Sequence, residues 1–147
     1  AVTGYRVRGL DAELAGAGVA LEAAGVDVEV HANPTDLHPE QESALAMAVR
    51  EAVTNVVRHA DAQGATISIT TVDAEVRLEV TDDGRGISGQ EGSGLTGMRE
   101  RIAALGGHVD VRHTGDHLDH SGTVVEVVLP LAGTADDRPQ AEEAGRR

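Results

Sequence analysis

Asp82-Asp83-Gly84-Arg85-Gly86 follows directly on Val76-Arg77-Leu78-Glu79-Val80-Thr81, where apolar side chains occupy every second position. That alternation predicts a half-buried strand. A carboxylate is thus delivered at a strand end and is followed at once by two glycines. Glycine has no Cβ and tolerates φ > 0, so the backbone there can come close to a ligand. The same Asp-x-Gly-x-Gly pattern also suits a plain turn between strands. The segments on either side of it decide between the two.

Upstream, Pro39 to Ala60 has helical character. Pro39 fits a first helical turn, and Glu40 and Glu42 suit the positive N-terminal end. Apolar residues occupy Ala44, Leu45, Ala48, Val49, Ala52, Val53, Val56 and Val57. Glu51, Asn55, Arg58 and His59 interrupt them at steps of three and four, which places these four side chains on one helical face. A solvated face is the plain explanation. Asn, however, is a poor helix-interior residue because its amide competes for backbone hydrogen bonds. Here it stands among valines. A carboxylate, an amide oxygen and two potential cations in one line could bind a hydrated metal and phosphates, since Mg²⁺ prefers oxygen ligands and keeps several waters.

Downstream, Gly92-Ser93-Gly94-Leu95-Thr96-Gly97-Met98 leads into Arg99 to Gly106, which has helical periodicity and a glycine stop. A glycine-rich loop opening into a helix presents free N–H groups and the positive end of the helix dipole to an anion.

Glu51-x-x-x-Asn55, Asp82-x-Gly84-x-Gly86 and Gly92-x-Gly94-Leu95-x-Gly97-Met98, in this order, resemble the N box and the two glycine boxes of the GHKL ATPase superfamily. Arg50 to Ala60 and Gly94 to Arg101 are similar to the sensor histidine kinases in particular, and to the DesK-like subfamily that pairs with NarL-type response regulators. The resemblance covers roughly Gly9 to Leu131. Three boxes in order, each in its expected structural context, are a specific signal.

The resemblance implies ATP and Mg²⁺ as cofactors. Asp82 would accept a hydrogen bond from the adenine amino group, and Gly84 and Gly86 would let the backbone approach the nucleotide. Ile87 directly after them is counted with the ATP-binding set. Asn55 would ligate the Mg²⁺ that bridges the phosphates. Glu51 would polarise the attacking group or order water, as the catalytic residue. Arg58 and His59 would reach the phosphates. Gly92, Gly94, Leu95 and Gly97 would shape the lid and phosphate loop. Thr123, opening the last strand, would lie near the adenine.

The remaining composition narrows the field. The chain carries 12 basic residues, all arginine. Without lysine there is neither a P-loop nor the strand lysine of eukaryotic-type protein kinases. Tyr5 is the one aromatic residue, so stacking platforms for single-stranded nucleic acid are missing and an adenine pocket needs aliphatic walls. The net charge of −13 argues against nucleic acid as a partner. ATP remains compatible, because Mg²⁺ and helix-end N–H groups neutralise phosphate charge locally. There is no cysteine, hence no disulfide or thiolate zinc site. No run of about 20 apolar residues could span a membrane.

Residues 10–132 are expected to form the ATPase domain, after the end of a linker (1–9) and before a disordered tail (133–147). The expected elements are helices at Leu10–Ala24, Pro39–Ala60 and Leu95–Leu105, a strand at Val26–His31, a hairpin of Ala65–Val72 with Glu75–Thr81, a lid at Ile87–Ser93, and a final hairpin of His108–His113 with Thr123–Leu131. This order predicts an α+β fold: a two-layer sandwich with helices on one face of a mixed sheet. The loop Asp116 to His120 offers imidazoles and carboxylates but no second cluster to complete a zinc site.

None of the seven histidines is followed by an acidic residue, as the phosphoacceptor of this subfamily would be. The resemblance therefore implies a catalytic domain that binds ATP and donates the γ-phosphoryl to a histidine on a separate dimerisation domain, for onward transfer to a response-regulator aspartate. By itself it would bind ATP without autophosphorylating. It would be cytoplasmic, within a full-length protein that can be membrane-anchored, and would itself touch no membrane. An anti-sigma-factor serine kinase of the same superfamily is the alternative, and a non-catalytic nucleotide-sensing module is another.

Overall fold

Strand β3 (Glu75–Asp82) forms where the alternation predicts it and becomes the centre of a five-stranded sheet. The computed structural model describes residues 2–33, 36–84, 93–113 and 122–131. Most of the expected lid, the Asp116–His120 loop and the tail lie outside those residues. In chain order the elements are α1 (Val2–Ala23), β1 (Asp27–Ala32), α2 (Pro39–Asn55), β2 (Gly64–Val72), β3, α3 (Ser93–Ala104), β4 (His108–His113) and β5 (Thr123–Pro130). The sheet order is β1-β2-β3-β5-β4. β1 and β2 run parallel and the other neighbours antiparallel, so the sheet is mixed as expected.

The strand alternation sets the layers. Ala65, Ile67 and Ile69 on β2, Val76, Leu78 and Val80 on β3, and Val125, Val127 and Leu129 on β5 share one face and are buried there. The helices cover that face with Leu10, Leu14 and Leu21 of α1, Leu45, Ala48, Val49 and Ala52 of α2, and Leu95, Met98 and Ile102 of α3. Among the described side chains the core is aliphatic apart from methionine. Each fully buried leucine or isoleucine contributes about 1.5–3 kcal/mol, so close spacing must replace the area that aromatic rings would bury.

Among the described residues no helix covers the opposite face, yet Val124 and Val128 are buried on it. Val128 stands in register with Arg77, and Val124 with Arg112. Both guanidinium groups pair with Glu126 between them, Arg112 at 3.2 Å, and Arg112 also meets Asp110 at 2.7 Å. The arginine stems cover the valines while the charged heads stay in water. The two guanidinium groups hold the Glu126 carboxyl below its ordinary value.

Two helix ends follow from sequence chemistry. Gly25 and Gly106 adopt φ of 83° and 86°. Behind them Val26 N–H donates to Leu21 O and Gly107 N–H to Ile102 O, so both helices close with the same six-residue motif. A Cβ on Gly107 would collide with the Val128 carbonyl, so the α3–β4 turn can pack against β5 only with glycine there.

Three boundaries differ from expectation. α1 begins at Val2, ahead of Leu10. α3 begins at Ser93. The long helix is α-helical only to Asn55, and Val56–Ala60 form a π-helical turn that ends at Asp61 with φ 56°. Such i→i+5 turns are rare and often accompany functional sites. Heptad-like patterning does not reveal them, because they change the helical pitch and not the residue types.

Gln41 joins the layers at the far end of α2. It is 6 % exposed, its Oε1 accepts the His38 N–H at 2.8 Å, and its Nε2 donates to Pro130 O at 2.9 Å. Gln41→Ala removes both bonds and leaves their partners unmatched. The expected loss is about 1–3 kcal/mol, measured by urea denaturation. An unchanged midpoint would show that the link contributes nothing.

Candidate functional site

Asp82 is the last residue of β3 and Thr123 the first of β5, and the antiparallel register sets them directly opposite each other. Both point to the helical face, by the same parity that buries Val80 and Val125. They are 6 % and 3 % exposed. Asn55, at the last α-helical residue of α2, lies across from them. The three polar groups share one cleft with Ala52, Val56, Val80 and Val125. The aliphatic walls expected from the composition are present.

Hydrogen bonding within this cleft is incomplete. Asn55 Nδ2 and Thr123 Oγ1 are buried with no partner among the described residues. Buried polar groups are nearly always paired, and an unpaired one signals a missing ligand or water. Asp82 Oδ1 accepts the Gly84 N–H at 2.8 Å. Burial raises the Asp82 carboxyl above its ordinary value; that hydrogen bond opposes the rise, and the charge of Asp83 adds to it. A carboxylate acceptor, a hydroxyl and an amide between aliphatic walls suit a flat heterocycle with an exocyclic amine.

The neighbouring Asp83 has a different task. Its Oδ1 accepts the N–H groups of Gln63 and Gly64 at 2.8 and 3.0 Å, tying the start of β2 to the end of β3. Strand alternation separates the two adjacent carboxylates, one turned into the cleft and one turned to the backbone.

Glu51 lies one turn before Asn55 on α2. A Cβ on Gly94 would fall inside contact distance of the Glu51 carboxylate, so α3 starts directly against that side chain. Any larger residue at 94 would push the Glu51 carboxylate out of its present position. The close approach brings the N-terminal end of α3 to the polar stripe of α2. Leu95 packs into the core at 2 % exposure, whereas Gly97 has open space around it. The expected role of Gly97 therefore has no steric basis in the described residues. Arg58 is exposed on the π-helical turn. The His59 side chain, Gly86, Ile87 and Gly92 lie outside the described residues.

The fit of a metal can be judged from the donors. Among the described residues no group of three or more His, Cys, Asp or Glu could hold one. Asn55 and Glu51 alone would leave most of the coordination sphere to water and phosphate oxygens, which is how Mg²⁺ is commonly bound beside a nucleotide. The residues therefore fit a phosphate-borne Mg²⁺.

The sequence did not signal that the Leu10 N–H donates to Glu42 Oε2 at 3.2 Å, nor the walls Ala52 and Val56, which read as ordinary core. Among the described residues no helix is long and apolar enough to cross a membrane.

Comparison with known proteins agrees with this geometry. The chain is 34% identical over 102 residues to the sensor histidine kinase YvfT of Bacillus subtilis, covering 68% of this chain and 26% of that protein. It is 36% identical over 115 residues to the signal transduction histidine-protein kinase/phosphatase UhpB of Salmonella typhimurium, covering 75% and 22%. It is 35% identical over 103 residues to the sensor histidine kinase DesK of Bacillus subtilis, covering 66% and 26%. The chain thus spans about a quarter of the length of these relatives. In fold it is similar to the histidine kinase domain of the Erythrobacter litoralis blue-light activated kinase, with a TM-score of 0.67 at 24% identity over 79% of this chain and 58% of that one. It is also similar to full-length ShkA in complex with AMPPNP, with a TM-score of 0.66 at 23% identity over 84% of this chain and 29% of that one. With the family match running over residues 40–133, from the first turn of α2 to just past β5, the chain belongs to the histidine kinase-, DNA gyrase B- and HSP90-like ATPases.

Proposed function

We propose that this domain binds MgATP and presents the γ-phosphoryl to a histidine on a separate dimerisation domain, from which it passes to an aspartate of a NarL-type response regulator. The observation that carries the reading is the cleft in which Asp82 faces Thr123 while Asn55 Nδ2 and Thr123 Oγ1 have no partner among the described residues. The match to sensor histidine kinases favours histidine over serine as acceptor.

In this reading Asp82 accepts from the adenine amino group, and Thr123 fills its hydrogen-bonding capacity on the same ring. Val56, Val80 and Val125 sandwich the base. Asn55 would hold the metal through its amide oxygen. Bound Mg²⁺ would neutralise charge on the phosphates. Glu51, held against the start of α3, stands where it can orient the attacking imidazole and take up its proton as the nitrogen–phosphorus bond forms and the bond to ADP breaks. Catalysis of this kind is mostly positioning and charge stabilisation. Arg58 and His59 would supply positive charge to the phosphates, with Gly84, Gly86, Ile87, Gly92, Gly94, Leu95 and Gly97 shaping the backbone around them.

Asp82→Asn separates binding from stability. The substitution should abolish ATP binding in calorimetry, because an amide offers the adenine amine a weaker and wrongly oriented partner. Its effect on stability has the opposite sign. A buried acid whose pKa is raised binds its proton more tightly when folded, so the folded state loses stability as pH climbs through the window above the ordinary Asp value. Asn carries no such penalty and keeps an oxygen for Gly84 N–H. The nucleotide-free variant should melt roughly 2–5 °C higher than wild type at pH 7, and the gap should close as the pH falls below the ordinary Asp range. A variant that melts lower at pH 7 would contradict this assignment.

Asn55→Ala should weaken MgATP binding about 10-fold or more while leaving metal-free ATP binding nearly unchanged. Titrations with and without Mg²⁺ decide it. Equal Mg²⁺ dependence in wild type and variant would remove Asn55 from the metal.

A further inference from the structure

Helices α2 and α3 run antiparallel: Glu51 late in α2 meets Gly94 at the start of α3, and Ser43 early in α2 meets Arg101 late in α3. Beside the second contact a cleft of about 350 Å³ opens between the first turn of α2 and the last turn of α3. Pro39, Glu40, Ser43, Arg101, Ala104 and Leu105 line it, and it shares no residue with the cleft around Asp82 and Thr123. Arg101 is exposed at its rim, donating to Ser43 Oγ at 3.3 Å and to Met47 Sδ at 3.6 Å. Both partners are uncharged. Arg101 has no carboxylate partner among the described residues, in a chain whose net charge is −13.

Size and surroundings decide what such a cleft can take. A stable complex between separate proteins buries about 1,200–2,000 Å², far more than these six residues offer. A tethered segment needs much less, because a short linker supplies a high effective concentration. The chain leaves β5 at this place. Gln41 Nε2 donates to Pro130 O at 2.9 Å, and a Cβ on Gly106 would lie 3.3 Å from Pro130 Cγ. Gln41 follows Glu40 in sequence and Gly106 follows Leu105, so the residues after Leu131 start at the lower end of the cleft. Leu105 and Leu131, on either side of that contact, are only partly buried against the core. Beyond Leu131 come the small residues Ala132-Gly133-Thr134-Ala135 and then the carboxylates Asp136-Asp137. Five residues of extended chain reach at most about 18 Å, whereas Arg101 stands one helical turn, about 6 Å of rise, from Leu105.

We propose that residues 132–137 of this chain fold back into the cleft, with their small side chains against Pro39, Ala104 and Leu105 and the Asp136-Asp137 pair on Arg101. The segment is too polar to pack by itself and takes its order from the surface it meets. The apolar wall supplies the contact and the guanidinium the register. Docked in this way, the segment fastens the start of α2 to the end of α3. That is the opposite end of the helix pair from the contact of Glu51 with Gly94. The inference stands apart from the ATP-binding reading, since the two clefts have no residue in common.

The absence of cysteine makes a clean test available. Gln140→Cys on the full chain gives one attachment point for a nitroxide spin label, read by the broadening of amide signals in NMR. Ala74 is the control, because it accepts the Leu131 N–H at 2.9 Å and so lies equally close to where the segment begins, on the side of the β2–β3 turn. The expected result is strong loss of intensity at Ser43, Ala104 and Leu105 and much weaker loss at Ala74 and Glu75. Asp136→Arg with Asp137→Arg should even out the two groups, and adding Arg101→Glu to that pair should restore the difference. Equal broadening at the cleft and at the turn with the segment otherwise unchanged would overturn the inference. So would a difference that survives the charge reversal. Broadening passed from a spin-labelled copy to an isotope-labelled, spin-free copy would show that the cleft takes a second molecule, and would overturn it too. If the Arg101→Glu chain does not fold, the reversal in the segment alone decides. No nucleotide enters any readout, so failure here is distinct from failure of the ATP-binding reading.

Discussion

The register of β3 against β5 is the constraint on which the rest depends. It pairs Asp82 with Thr123 at one end of the sheet and Val76 with Leu129 near the other. A side-chain period of two means that a slip of one residue would turn every one of these groups to the opposite face. The valines that line the cleft, the leucines under α2 and the polar pair at the strand ends are thus specified together. The hairpin of β2 and β3, turned by Asp73 at φ 58°, and the tie from Asp83 to Gln63 and Gly64 fix the same register from the other side. Fold and cleft are consequences of one pairing.

That pairing carries a cost concentrated where the ligand would sit. Burial works against the charge of the Asp82 carboxyl, and Asn55 and Thr123 each bury a polar atom with no partner among the described residues. An unsatisfied buried group costs about 1–3 kcal/mol, a large share of the stability of a domain this size. A core without Phe or Trp has little surplus to absorb it. The compensation lies in dense, small-side-chain packing and well-closed helix ends: Gly107 pressed on the Val128 carbonyl, Gly94 against Glu51, and glycine stops after α1 and α3. These contacts need hydrogens where other residues carry carbons, which gives part of the glycine content a packing purpose.

Much of this was legible in the sequence because it rests on local rules. Alternation at Val76, Leu78 and Val80 gave β3 and its buried face, and glycines gave both helix stops. The stripe of Glu51 and Asn55 with the strand-end Asp82 gave the cleft, since helical and strand periodicity decide which side chains face inward. What escaped had no local signature. The π-helical turn after Asn55 has residues, Val-Val-Arg-His-Ala, that are compatible with a plain helix. Glu42 read as a charge favouring its own helix end, but its carboxylate accepts the Leu10 N–H of α1. Val124 and Val128 are buried without a helical layer because arginine stems two strands apart reach across them, a long-range contact that residue pattern cannot encode. The two aspartates of Asp82-Asp83 looked interchangeable in the motif, and only the strand parity divides their work.

That division bears on how such a domain can change over time. Substitution at Asp82 or Asp83 alters one task and leaves the other intact. Loss or gain of one residue within β3 would exchange them, swinging the tie-down carboxylate into the cleft and the cleft-facing one out of it. Length variation should therefore be purged from this strand far more strictly than residue variation. It can accumulate only where no register is kept, in the connections between elements. The domain's lineage could drift widely in sequence and still be unable to move its reading frame of inward and outward faces by a single step.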